Sequence, residues 1–233
     1  MKKAAQIARV LPVVALLAAH VHAAALDDVK LTISNTMCDG ADPGDMSTVI
    51  YATNHGAQPV IVQLQYDSKP AGQVFALFDG HLAPLQDRFP KTEERQLAPG
   101  EKAAIGCTVN YRADSGGGTY NPIDVVVTVK EARYPDAAAA PGATNEEQAQ
   151  QFAAFILQPG VPACASGVHP AGLLYLVNLH PFKTLNATLT YAGGKMTDFK
   201  LPPLGVKRAG CTNGDGAVAS LSHVEFAVST PAP

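Results

Sequence analysis

Four cysteines, Cys38, Cys107, Cys164 and Cys211, are the residues whose chemistry this sequence states most plainly. An even number of cysteines in an exported chain reads as a disulfide framework, and four of them allow three connectivities. The histidines offer less. Beyond residue 25 they are His55, His81, His169, His180 and His223, with no HExxH, no CxxC and no His pair at strand spacing, so no metal signature is present. His55 and His180 each follow an asparagine closely and read as polar turn residues. Asp39, Asp42 and Asp45 fall three apart beside Cys38, off the alternating spacing of an EF-hand loop, and read as a solvated acidic turn. Ser115 and Ser166 lie in no GxSxG elbow, and the glycines at 116–118 lack the Lys-Ser/Thr of a phosphate-cradling loop. NGDG at 213–216 is a tight-turn sequence. Asn186-Ala187-Thr188 satisfies the glycosylation sequon but sits in an alternating strand pattern, so it reads as a strand face. These residues assign no catalytic group, no metal ligand and no cofactor, and the chain is expected to be a non-enzyme.

The cysteines belong to a longer pattern that occurs twice. VIYATN at 49–54 matches LLYLVN at 173–178, superposing Tyr51 on Tyr175 and Asn54 on Asn178. PVIVQLQY, ending at Tyr66, matches KTLNATLTY, ending at Tyr191, and LAPGEKAAIGCT (97–108) matches LPPLGVKRAGCT (201–212) without a gap. The first cysteine precedes its tyrosine by 13 residues in one half and by 11 in the other. A period above 100 residues implies tandem domains rather than a solenoid of short repeats. Equivalent cysteines should be bridged equivalently, which predicts Cys38–Cys107 and Cys164–Cys211. Tyr51, Asn54, Tyr175 and Asn178 recur in both halves and are expected to be structural: a tyrosine packs its ring inside and reaches backbone with its hydroxyl, and an asparagine closes a turn.

The elements that must position these residues read as strands. Val29, Leu31 and Ile33 alternate, as do Val60, Val62 and Leu64, and Ile105, Cys107 and Val109; DVVVTV at 124–129 is β-rich throughout. In the second half the runs are 172–179, 184–191, 205–211 and 220–228. Period-2 patterning with Gly/Pro/Asn punctuation marks half-buried antiparallel strands. HGAQP (55–59), DSGGGT (114–119) and HPFK (180–183) fall at turns. Thr144-Asn145-Glu146-Glu147 has the form of a capping box, and the segment after it reads as a short helical lead into a strand near 152–158. Residues 132–150, poor in large apolar side chains, are expected to be a linker between domains at 26–131 and 151–233.

Composition bounds the function classes. The chain has 233 residues, 17 basic against 20 acidic, and 47% hydrophobic residues. Disorder is excluded by that balance, and no basic stripe suits a nucleic acid. Lys2, Lys3 and Arg9, an apolar run from Val10 to Ala19 and a small-residue exit near Ala23 form an export signal over 1–25, too short to span a bilayer. Cleavage there leaves 14 basic against 20 acidic residues, a charge of −6 and no spanning segment. The Lys-Lys start suits a bacterial periplasmic or secreted protein, a compartment in which disulfides persist.

The expected fold is all-β, two tandem immunoglobulin-like antiparallel β-sandwich domains with one disulfide each. The expected function is that of an exported non-enzymatic binding or interaction protein, whose partner is another envelope or extracellular protein or a surface ligand. Two further readings stand beside it: a periplasmic assembly chaperone for secreted or pilus subunits, and a metal-binding envelope protein.

Overall fold

The computed structural model describes residues 25–38, 47–69, 74–78, 81–113, 120–135, 143–159, 172–212 and 219–227. Strands dominate. In the N-terminal half they are β1 (Val29–Met37), β2 (Thr48–Asn54), β3 (Val60–Ser68), β4 (Phe75–Phe78), β5 (His81–Pro84), β6 (Lys91–Leu97), β7 (Lys102–Cys107), β8 (Asn110–Ala113), β9 (Tyr120–Ile123) and β10 (Val125–Arg133). A helix, α1 (Asn145–Phe152), leads into β11 (Ala153–Gln158), followed by β12 (Leu173–Asn178), β13 (Leu185–Tyr191), β14 (Met196–Leu201), β15 (Val206–Cys211) and β16 (Ala219–Phe226).

The strands form four three-stranded antiparallel sheets, ordered β1-β2-β7, β10-β3-β6, β11-β12-β15 and β14-β13-β16, with β4-β5 and β8-β9 as separate two-stranded pairs. Among the described residues the two halves thus share one strand order, with the pairs β4-β5 and β8-β9 additional in the N-terminal half. Even the irregularities coincide. The β2–β7 ladder slips between Ile50 and Tyr51, and the β12–β15 ladder slips between Leu174 and Tyr175. Each slip leaves one residue of the partner strand, Ile105 or Ala209, as the extra residue of a bulge.

Alternation decides which faces are buried. Along β3 every second residue (Val60, Val62, Leu64, Tyr66) is fully buried and the residues between are half-exposed. Leu185, Ala187 and Leu189 do the same on β13. A buried leucine or valine stabilises by roughly 1.5–3 kcal/mol, so these stripes fix the strand register. One contiguous core runs through both halves, joined by Ala149 and Phe152 of α1.

Cys38 and Cys107 form a disulfide that closes the loop between the end of β1 and the end of β7. Cys211 is disulfide-bonded as well, while Cys164 lies outside the described residues. Also outside them are Asp39, Asp42, Asp45, Ser115, Ser166, His169, residues 1–24 of the expected export signal and the turns expected at 114–119 and 213–216, whereas Ala25 is described and buried.

Two expectations change and one holds. The stretch 132–150, read as a linker, carries the end of β10 and most of α1, with Ala132 and Ala149 buried. Thr144 caps α1 in a capping box with Glu147, as its sequence suggests, and β11 follows at once. β1 has the alternation of a half-buried strand, yet Leu31 is 44% and Ile33 70% exposed. It is an edge strand, and among the described residues it pairs with β2 alone.

Candidate functional site

The residues that recur in the two halves of the sequence take equivalent places. Asn54 is fully buried; its Nδ2 donates to the carbonyls of Gln58, Leu97 and Ala98, and its Oδ1 accepts from the Gly56 N–H. Asn178, equally buried, donates to the carbonyls of Lys183, Leu201 and Pro202 and accepts from the His180 N–H. In each half one asparagine therefore closes the turn after the second strand and ties it to the end of β6 or β14.

Tyr51 and Tyr175 are less alike. Tyr51 is half-buried with Lys102 Nζ 4.3 Å over its ring, whereas Tyr175 is buried and its hydroxyl reaches Gln158 Oε1 at 3.4 Å. The tyrosines that bridge the two sheets of each half are Tyr66 and Tyr191. Their hydroxyls donate to the bulged carbonyls of Ile105 (3.0 Å) and Ala209 (2.7 Å). A bulge carbonyl without a ladder partner needs such a donor when it is buried. Thr108 and Thr212 also act in parallel, accepting from the Thr48 and Gly172 N–H groups.

The halves differ at the position after the turn asparagine's acceptor bond. In the N-terminal half it is Gly56, with His55 exposed beside it. In the C-terminal half it is His180, read from the sequence as a polar turn residue, whose side chain is fully buried. Asn178 thus presents both His180, through its N–H, and Lys183, through its C=O, to a carboxylate on β6. That carboxylate is Glu93, 3% exposed.

The arrangement fixes the protonation of each group. His180 Nδ1 accepts from the backbone N–H groups of Phe182 (3.0 Å) and Lys183 (2.9 Å), so it bears no proton. Its Nε2 bears the proton and donates to Glu93 Oε2 at 3.1 Å. Lys183 Nζ pairs with Glu93 Oε1. The Tyr66 hydroxyl has Glu93 Oε2 as a longer second acceptor, at 3.3 Å. Burial pushes the Glu93 carboxyl up, but hydrogen bonding and charge from His180 and then Lys183 outweigh it and hold it at about 2. Burial lowers His180 to about 4, more than its bond to Glu93 raises it. Tyr66 is pushed well above the usual phenol value, first by burial and then by the Glu93 charge. At neutral pH the joint therefore holds an ionised Glu93 and a neutral His180.

Aromatic rings close the site. Tyr66, Phe152 and Phe226 lie 4.5, 4.7 and 4.9 Å from the His180 ring, centroid to centroid, and Lys183 Nζ sits 4.9 Å from the Phe226 ring. With both ring nitrogens committed and no exposed surface, His180 has no face for an external substrate. The cluster is a satisfied polar network inside an interface.

Elsewhere, His223 on β16 is half-exposed, 3.5 Å from Glu146 and 3.9 Å from Glu225. It lines a shallow recess with Asn186, Thr188, Asp198 and Lys200 on the face of the β14-β13-β16 sheet. His81 lies in β5. Among the described residues no three His, Cys, Asp or Glu side chains stand where they could hold a metal ion, and no helix is long and apolar enough to cross a membrane.

No protein-family model and no curated protein matches this chain. Among solved structures it shows a faint likeness to a red sea bream transglutaminase, at 14% identity and a TM-score of 0.22, over 78% of this chain and 26% of that one. A Salmonella enterica SafA pilin in complex with the SafB chaperone matches at 16% identity and a TM-score of 0.18, over 85% of this chain and 95% of the other. This chain thus spans about a quarter of the transglutaminase.

Proposed function

We propose that this chain is an exported, non-enzymatic interaction protein built from two duplicated immunoglobulin-like β-sandwiches, and that it binds an extended segment of another protein along β1. The observation that carries this reading is the β1 edge. Its outer side pairs with no strand among the described residues, and Leu31, Ile33 and Met37 are 44%, 70% and 40% exposed along it. Long exposed edges with apolar side chains are templates for strand addition, in which backbone bonds give affinity and alternate side chains give selectivity. The equivalent edge strand β11 exposes Leu157 by 53% at the position of Ile33.

Matching strand order, matching bulges and matching asparagine turns support duplication of one sandwich. By the same equivalence Cys164 is the partner of Cys211, each half then having one disulfide. The basic, apolar and small-residue pattern over 1–25 supports export to the periplasm or the medium. A second reading uses the same strand: a periplasmic chaperone that lends β1 to a client subunit during assembly.

Site-directed photocrosslinking in cells exporting the full chain tests the proposal. A benzophenone side chain at position 33 should give one discrete adduct with another exported protein, while one at exposed Glu131 on β10 should not. Equal adduct patterns from both positions, or none from position 33, would sink the β1 reading. An adduct that forms only with newly exported subunits and disappears once they assemble favours the chaperone.

A further inference from the structure

We propose that the Glu93–His180–Lys183 joint is an acid-released latch, which holds the two halves as one body at neutral pH and lets them part in acid while each keeps its own sheets. This does not depend on what β1 binds. The geometry is asymmetric in a useful way. The N-terminal half supplies one carboxylate, and both of its oxygens are spent on donors from the C-terminal half, His180 Nε2 and Lys183 Nζ. Each half also carries its own buried stripe, Val60 and Val62 on β3 and Ala187 and Leu189 on β13. The Cys38–Cys107 disulfide lies wholly within the N-terminal half.

Few charged or titratable groups face His180. Glu93 comes from β6, Tyr66 from β3 and Lys183 from its own turn, while α1 and β16 contribute the uncharged rings of Phe152 and Phe226. Arg95, also on β6, acts on Tyr66 and donates to the Ala104 carbonyl. A proton arriving at His180 must go to Nδ1, which two backbone N–H groups already occupy as donors. The new N–H would point at them, and a second cation would stand beside Lys183 away from water. Both problems vanish only if the ring leaves the interface.

The direction in pH follows. Closed, His180 holds its proton at about 4, below its ordinary 6.5, so the closed joint loses stability as pH falls from 6.5 to 4. Glu93, held at about 2 against 4.5, extends the loss to lower pH.

Small-angle X-ray scattering and far-ultraviolet circular dichroism of the full chain between pH 7 and pH 3 test the latch. The expected result is a rise in radius of gyration with its midpoint between pH 6.5 and 4, the strand signal being retained. His180→Gln keeps an N–H donor for Glu93 and a carbonyl acceptor for the turn while removing the titration, so its midpoint should fall below pH 4.5, where only Glu93 titrates. An NMR titration of the wild-type His180 ring should share the midpoint of the expansion, and it serves whether or not the variant folds. A chain that stays compact to pH 3, expansion only together with loss of strand signal, an unmoved midpoint in the variant, or a ring titration apart from the expansion would each overturn the proposal.

Discussion

Asn54 and Asn178 make the same four bonds in the two halves, but they do not carry the same consequences. Each donates to three carbonyls, of which those of Leu97 and Leu201 are the buried ones, while those of Ala98 and Pro202 also accept from the Glu101 and Gly205 N–H groups. Removing one partner of a buried hydrogen bond costs about 1–3 kcal/mol, more than the bond itself contributes. Asn54→Ala should therefore lower stability by about that amount in a denaturant titration. Asn178→Ala should cost more, because Asn178 also fixes where His180 and Lys183 meet Glu93. Equal losses for the two variants would mean that the joint adds nothing to the turn beneath it. The roles of both asparagines were legible from their repetition and turn context. Glu93 was not, because a carboxylate in KTEERQL looks like any solvated charge until the opposing turn is placed. His180 was hidden for the same reason, since its burial depends on a surface more than 80 residues away in sequence.

At the scale of strands, the apolar runs identify themselves and the polar ones do not. β2, β3, β7, β12, β13 and β15 are announced by alternation and by the repeat. β6 and β14, with KTEERQL and MTDFKL, take their strand form from pairing with β3 and β13, a tertiary effect that local propensity does not show. β1 shows the reverse: its pattern promised a buried face, and its edge position leaves that face exposed. The repeated Gly-Cys-Thr also acquires a reason. Gly210 has φ of +137°, a conformation that disfavours a side chain, and a Cβ on Gly106 would stand 2.6 Å from Val127 Cγ1. Valine is stiff and cannot easily yield. Gly106→Ala should lower the melting temperature, and Val127→Ala in the same chain should recover part of the loss by giving the new methyl room. If the double variant is no more stable than the sum of the singles predicts, the close approach is not what requires glycine there.

For the whole molecule, the structure replaces the picture of two beads on a linker with two similar halves sharing one interior. α1 arises from the stretch expected to be a spacer, and its Phe152 packs among Tyr66, His180 and Phe226. A buried ion pair is weak evidence for stability in itself, since its desolvation offsets much of the attraction, but losing one partner strands a charge and is strongly unfavourable. The halves should therefore stay together at neutral pH without a covalent tie, and the most direct measurement severs that tie. A protease site introduced between Asp136 and Gly142 allows the folded chain to be cut and then run on size-exclusion chromatography at pH 7 without reductant. The account predicts that the cut chain elutes where the intact chain does and separates into two fragments only on a denaturing gel. Two separate peaks at pH 7 would contradict it.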